Sequence, residues 1–145
     1  MSQALFYEGR WYMFSNFSAF TVYWCGREWM TSEHAYQASK FIDIKIIESI
    51  HEARSAHDAK EISRSNKVGV RSDWSSIKLE IMEGIIRAKL HDHLFIKEQL
   101  LSTGDLIMIE DSPTDSYWGR GPDGKGENHL GKIWMKLRGE LRADA

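Results

Sequence analysis

The sequence predicts a single α+β domain, mostly helical, with a small antiparallel sheet. Three observations carry this. A two-residue turn joins two short runs of strand type near the N-terminus, capped helical segments follow, and a long glycine-rich loop precedes a closing amphipathic helix. The 145 residues fit one domain on the usual scale of about 100–200 residues. No repeat, low-complexity tract or linker divides them, so one domain spanning 1–145 is expected.

The elements follow in order. Ala19–Trp24 and Arg27–Met30 flank Cys25 and Gly26, a tight hairpin turn. Thr31 and Ser32 are natural N-caps for a helix running to about Arg54. Ser55 with Asp58 opens a second helix to about Ser65, and Asp73 caps a third from Trp74 to about His91. A fourth, His93–Ser102, is stopped by Gly104, and Leu106–Ile109 is a short strand. Asp111–Glu127 holds both prolines, Pro113 and Pro122, with Gly119, Gly121, Gly124 and Gly126, and reads as one irregular loop. In the closing helix, Asn128–Leu141, one apolar face is formed by Leu130, Ile133, Trp134, Leu137 and Leu141.

Composition narrows the function. With 42% apolar and 28% charged residues the chain is an ordinary soluble globule, and a net charge of −2 argues against non-specific nucleic-acid binding. The single Cys25 excludes an internal disulfide and a multi-cysteine zinc site. No signal peptide or spanning segment is recognisable, so a cytoplasmic protein without membrane association is expected. Aromatic residues crowd the N-terminal part: Phe6, Tyr7, Trp11, Tyr12, Phe14, Phe17, Phe20, Tyr23 and Trp24. Most belong to a core, but such residues beside polar groups also wall sites for flat, ring-containing ligands.

Two helices carry unexpected residues in their stripes. In the first, Glu33, Gln37 and Lys40 form a stripe with Tyr36 on its flank, and the stripe continues as Ile44 and Ile47. Ala35, Ala38, Ile42 and Ile46 lie opposite. A helix covered on both sides would place Glu33, Gln37 and Lys40 over a cavity. An exposed Glu–Gln–Lys ladder fits the spacing equally well, and the residues leave both open. In the third helix, Lys78 and Lys89 sit inside an apolar arc of Trp74, Ile77, Ile81, Met82, Ile85, Ala88 and Leu90. One lysine there would snorkel to water. Two suggest cations facing an anionic ligand, such as phosphate, or the Glu33 carboxylate.

Other constellations fail. The glycine loop is neither a Walker nor a Rossmann sequence. The histidines lack zincin spacing, Cys25 has no activating neighbour, and no nucleophile elbow exists. No metal or cofactor is expected.

The ordered set Ser15, Asn16, Phe17; Trp29, Thr31, Ser32, Glu33, His34, Tyr36, Gln37, Ala38, Lys40, Phe41; Ala59, Lys60, Arg64; Asp73, Trp74; Met82, Lys89; Thr103, Gly104, Asp105; Glu110; Asp115, Trp118, Gly119; and Gly126, Asn128, Leu130, Gly131, Met135, Arg138 resembles the NADAR family, whose bacterial YbiA-like members are N-glycosidases. The likeness runs from about Phe6 to Leu141. Met13, Ala56, Ser63 and Leu90 depart from the family pattern.

The resemblance implies a helix-dominated α+β fold with no metal. It also implies hydrolysis of the bond between a phosphoribosyl group and an amino-substituted pyrimidine, as in early riboflavin-pathway intermediates. Some family members instead remove ADP-ribose from guanine in nucleic acid, and a domain that binds ADP-ribose or NAD without turnover is a third reading. Partners are then a small phosphoribosyl or ADP-ribosyl substrate, with nucleic acid entering only as an ADP-ribosylated substrate; the oligomeric state is open. By carry-over, Glu33, Trp74 and Asp115 are catalytic. Asn16, Phe17, Tyr36, Gln37, Lys40, Lys60, Arg64, Lys78, Lys89, Trp118, Gly119, Asn128 and Arg138 are substrate-binding candidates.

The chemistry agrees with these residue types. Cleaving a C–N bond at an anomeric carbon passes through an oxocarbenium-like state, which needs a carboxylate and a proton source for the leaving nitrogen. Glu33, in a first helical turn, is expected to stay ionised, and Trp74 offers a face for a heterocycle. Lys60, Arg64, Lys78, Lys89 and Arg138 are the pool for a phosphate clamp.

Overall fold

A computed structural model describes residues 2–145. In chain order the elements are β1 (Gln3–Leu5), a 3-10 helix (Gly9–Phe14), β2 (Val22–Trp24), β3 (Arg27–Trp29), α1 (Ser32–Ala38), α2 (Ile44–His51), α3 (Ala56–Ser65), a 3-10 turn (Lys67–Gly69), α4 (Trp74–Asp92), α5 (Leu94–Ser102), β4 (Ile107–Ile109) and α6 (His129–Ala143). They form two compact units, one of residues up to Ser15 with His93–Ala145, the other of Asn16–Asp92. Among the described residues no helix is long and apolar enough to cross a membrane.

In the first, discontinuous unit, β1 pairs in parallel with β4, Ala4 opposite Met108. The small sheet content therefore includes a parallel pair besides the expected hairpin. Trp134 of α6 is fully buried; its indole N–H donates to the Phe14 carbonyl at 3.0 Å and its ring meets Phe14 edge-on at 4.9 Å. Leu130, Ile133 and Leu137 lie beside it in the core, as the apolar face predicts, with Leu141 half-buried. Asn128 adopts a left-handed conformation (φ 53°) just before α6. Its amide donates to the Met108 carbonyl and accepts from the Glu110 N–H, both at 2.9 Å, which ties β4 to the start of α6.

In the second unit, Val22 pairs with Trp29 and Trp24 with Arg27 across the expected hairpin. Cys25 (φ 50°) and Gly26 (φ 83°) both take the positive φ that a two-residue turn of this kind requires. α3 follows its Ser55 cap as expected, the hydroxyl accepting from the Asp58 N–H at 3.0 Å.

One expectation is corrected. The helix drawn from Thr31 to about Arg54 is two helices, α1 and α2, separated by residues 39–43. The Ser39 hydroxyl bonds back to the Ala35 carbonyl, Phe41 forms an antiparallel bridge with Val70, and the Lys40 carbonyl accepts from the Arg71 N–H. A bridge needs extended backbone, so the helix cannot run through Phe41. Asp43 then caps α2 by accepting from the Lys45 N–H. The stripe of Glu33, Gln37 and Lys40 therefore does not pass into Ile44, which is largely exposed. Even so, all seven residues of α1 are buried, because α2, α3 and α4 all pack against this short helix.

Candidate active site

Several candidate residues of the second unit gather around α1. The Thr31 hydroxyl caps the helix by accepting from the His34 N–H. Asn16 braces the same end: its carbonyl accepts from the Glu33 N–H at 3.1 Å, and its side-chain oxygen accepts from the Ser32 hydroxyl at 2.9 Å. His34 is held at both ring nitrogens, Nδ1 against Thr31 Oγ1 at 2.7 Å and Nε2 against the Ala53 carbonyl at 3.0 Å. Burial lowers its pKa, so it is a neutral bracing histidine.

Glu33 is 6% exposed, and its Oε2 accepts from Gln37 Nε2 at 2.6 Å. The i, i+4 spacing makes this pair one turn apart on α1. Tyr36, one residue before Gln37, meets the Trp74 ring of α4 at 5.3 Å with a 57° tilt, and the Lys40 amine lies 5.3 Å from the Tyr36 ring centre. The Lys60 amine of α3 lies 6.0 Å from the Phe17 ring. α1 and its flanks thus bring a buried carboxylate, an amide, two aromatic faces and a cation onto one short helix and its neighbour. Arg64 is not drawn in: it pairs with Glu61 on an exposed stretch of α3.

The two α4 lysines differ. Lys78 is half-buried. Lys89 is fully buried, its amine donating to the Ser18 hydroxyl at 3.1 Å and lying 5.7 Å from the Phe20 ring. It does not snorkel. Burial lowers its pKa to about 7, so it is a switchable cation at neutral pH. Ser18 went unrecognised in the sequence, where only its place after Ser15, Asn16 and Phe17 marks it.

A stability test follows. The unfolded chain keeps the Lys89 proton up to the ordinary value of 10.5, the folded chain only to about 7. Folding expels a proton between these values, so the contribution of Lys89 to stability rises with pH across that window. Relative to wild type, Lys89→Met is most favoured below pH 7, and its advantage shrinks by about 1.4 kcal/mol per pH unit as pH rises. Urea unfolding of both proteins below and above pH 7 measures this; parallel stability curves would show that the amine stays charged.

In the first unit, Asp115 and Trp118 lie on the glycine loop. Asp115 Oδ1 accepts from the N–H groups of Tyr117 at 2.9 Å and Trp118 at 2.8 Å, which fixes the carboxylate through one oxygen. Trp118 is mostly buried and meets the Tyr117 ring edge-on at 4.7 Å; the Tyr117 ring in turn lies 4.4 Å from His129. A Cβ on Gly119 would stand 2.5 Å from the Glu110 carbonyl, so glycine is required there for the loop to close on Glu110. Asn128 spends its amide on β4, and Arg138 donates to Thr103 Oγ1 at 2.8 Å and to the Leu106 carbonyl at 2.9 Å. These two side chains hold their own unit together.

Comparison with known proteins gives a consistent set. A family model described as the NADAR domain matches residues 5–142. An N-glycosidase of Nostoc punctiforme is 42% identical over 132 residues, covering 89% of this chain and 85% of that protein. The N-glycosidase YbiA of Escherichia coli is 39% identical over 128 residues, covering 88% of this chain and 80% of that protein. Its NMR structure matches with a TM-score of 0.86 at 36% identity, over 95% of this chain and 82% of that one. A riboflavin biosynthesis protein of Vibrio vulnificus is 40% identical over 131 residues, which are 90% of this chain and 36% of that protein.

Proposed function

The chain belongs to the NADAR family, and from that premise we propose that this N-glycosidase hydrolyses the bond between a phosphoribosyl group and an amino-substituted pyrimidine. The observation that carries the reading is the α1 cluster: a buried carboxylate, Glu33, held by Gln37 beside the Tyr36–Trp74 aromatic pair. The riboflavin-related name of one relative supports the pyrimidine.

The carboxylate of Glu33 opposes the positive charge that develops at the anomeric carbon, or takes a proton from the attacking water. The C–N bond breaks, the water oxygen joins the anomeric carbon, and the amino nitrogen leaves with a proton. The products are a pentose phosphate and the free aminopyrimidine. Trp74 stacks on the heterocycle, a contact worth about 1–3 kcal/mol for nucleic-acid bases. Lys40, Lys60 and Lys78 supply cations for the phosphate, with Phe17 beside Lys60 and Asn16 next to Phe17 in the chain; Lys89, which has no exposed surface, stays with Ser18. In its own unit, Asp115 keeps one carboxylate oxygen off the loop amides and is the acidic group available there for proton transfer, with Trp118 beside it in the loop.

The direct test incubates the protein with a phosphoribosyl-aminopyrimidine and, separately, with ADP-ribosylated guanine in DNA, reading released base by mass spectrometry. Release from the first alone supports this reading. Release from the second alone transfers the activity to ADP-ribosylated nucleic acid, and tight binding without release of either makes the protein a binding module.

Two substitutions separate chemistry from scaffolding at Asp115. Asparagine keeps an oxygen for both loop amides, so Asp115→Asn retains its melting temperature while kcat falls about 10²-fold or more. Asp115→Ala loses the same activity and also about 1 kcal/mol of stability from the lost turn bonds. Full activity in Asp115→Asn would reduce the residue to a loop anchor.

A further inference from the structure

A primary amide is both donor and acceptor, and when buried it needs partners for both. Gln37 is 4% exposed. A carboxylate oxygen only accepts, so the amide NH2 must be the group that faces Glu33 Oε2. That fixes the orientation of the amide and turns Oε1 away from Glu33. Oε1 is buried with no hydrogen-bond partner among the described residues. A lone buried acceptor is costly to leave unmet, and a ligand that binds beside Glu33 can meet it only with an O–H or N–H. An unprotonated phosphate oxygen cannot.

We propose that Gln37 is a specificity-determining residue that accepts a hydrogen bond from the substrate's pentose hydroxyl adjacent to the anomeric carbon. This rests on the N-glycosidase reading, which puts Glu33 at that carbon. The neighbouring hydroxyl is then carried by the carbon next to the reacting atom, and Gln37 is the side chain hydrogen-bonded to Glu33. The electronics favour the hydroxyl. Donation from Nε2 to an anion pushes electron density through the amide onto Oε1 and makes it a stronger acceptor. As positive charge grows at the anomeric carbon, the adjacent O–H becomes more acidic, so the hydrogen bond strengthens towards the transition state. The charge of Glu33 thereby reaches the sugar by two routes, directly and through the Gln37 amide.

The test compares wild type and Gln37→Met on a phosphoribosyl-aminopyrimidine and its 2-deoxyribosyl counterpart. Methionine matches glutamine in length and removes both hydrogen bonds. Loss of the bond to Glu33 lowers both substrates by a common factor, so the diagnostic is the ratio. The preference for ribosyl over 2-deoxyribosyl substrate should fall about 10-fold or more in Gln37→Met, chiefly in kcat. Gln37→Glu keeps an acceptor oxygen and, when the two carboxyl groups share one proton, should retain the ribosyl preference with activity displaced to lower pH. Equal losses on both substrates in Gln37→Met would overturn the proposal and leave Gln37 as a positioning residue for Glu33. Should wild type turn over neither substrate, the phosphoribosyl-aminopyrimidine reading fails, and calorimetric titration with ribose 5-phosphate and 2-deoxyribose 5-phosphate decides the hydroxyl separately. Selective ribose 5-phosphate binding that Gln37→Met loses supports the assignment; equal affinities overturn it. Melting curves of both variants confirm that they are folded.

Discussion

Glu33→Gln lowers kcat by about 10³-fold or more and leaves the melting temperature close to that of wild type. The two halves of this expectation come from one geometry. Glutamine retains the shape of Glu33 and still offers a carbonyl oxygen to Gln37 Nε2, so the 2.6 Å contact survives. The N–H of residue 33 continues to donate to the Asn16 carbonyl because that bond is backbone to backbone. What disappears is the negative charge, and in a site shielded from water that charge is worth far more than at a surface. Circular dichroism and single-turnover kinetics on purified protein measure the two halves separately. Near-wild-type hydrolysis would remove Glu33 from the chemistry.

Gly131→Ala has the largest expected effect on stability, a loss of about 3 kcal/mol or more. A Cβ at Gly131 would overlap the Met108 carbonyl and stand 2.5–2.6 Å from the side-chain atoms of Asn128. Neither neighbour can retreat. The carbonyl is the backbone of β4, and the Asn128 amide is pinned by two hydrogen bonds, one to Met108 of that strand and one to Glu110 just beyond it. The clash is relieved only by lifting α6 from β4, which also disturbs the burial of Leu130 and Trp134. Gly139 is the control. It lies in the same helix with nothing within 4 Å of its Cβ position, so Gly139→Ala should stabilise by about 0.5–1 kcal/mol. Urea unfolding of both variants measures the contrast, and a wild-type midpoint for Gly131→Ala would show that α6 and β4 tolerate a wider spacing.

Where local chemistry decides the structure, the sequence is legible. The hairpin follows from Cys25 and Gly26, α3 from its Ser55 cap, and the end of α5 from Gly104 (φ 57°). The break between α1 and α2 follows from a long-range event, the Phe41–Val70 bridge, although Asp43 before Ile44 is itself a legible cap. β1 has three residues, too few to show a period, and exists because β4 pairs with it. The candidate site divides in the same way. The Glu33–Gln37 pair is visible as helical spacing, whereas the Tyr36–Trp74 contact and the Lys89–Ser18 bond join distant segments. Burial of α1 was an open choice in the sequence because three separate helices supply it.

The discontinuity of the first unit imposes an order on biosynthesis. Asn16–Asp92 is one uninterrupted stretch, and all of it is made ahead of α5, β4 and α6. β1, by contrast, precedes this stretch, and its partner strand lies about a hundred residues later. Throughout that interval Gln3–Leu5 has no strand to pair with. Closing so long a loop adds little free energy, since each doubling of length costs only about 0.6 kcal/mol, but non-local pairing of this kind slows folding. The continuous unit can therefore assemble first, while β1 waits for β4 to arrive.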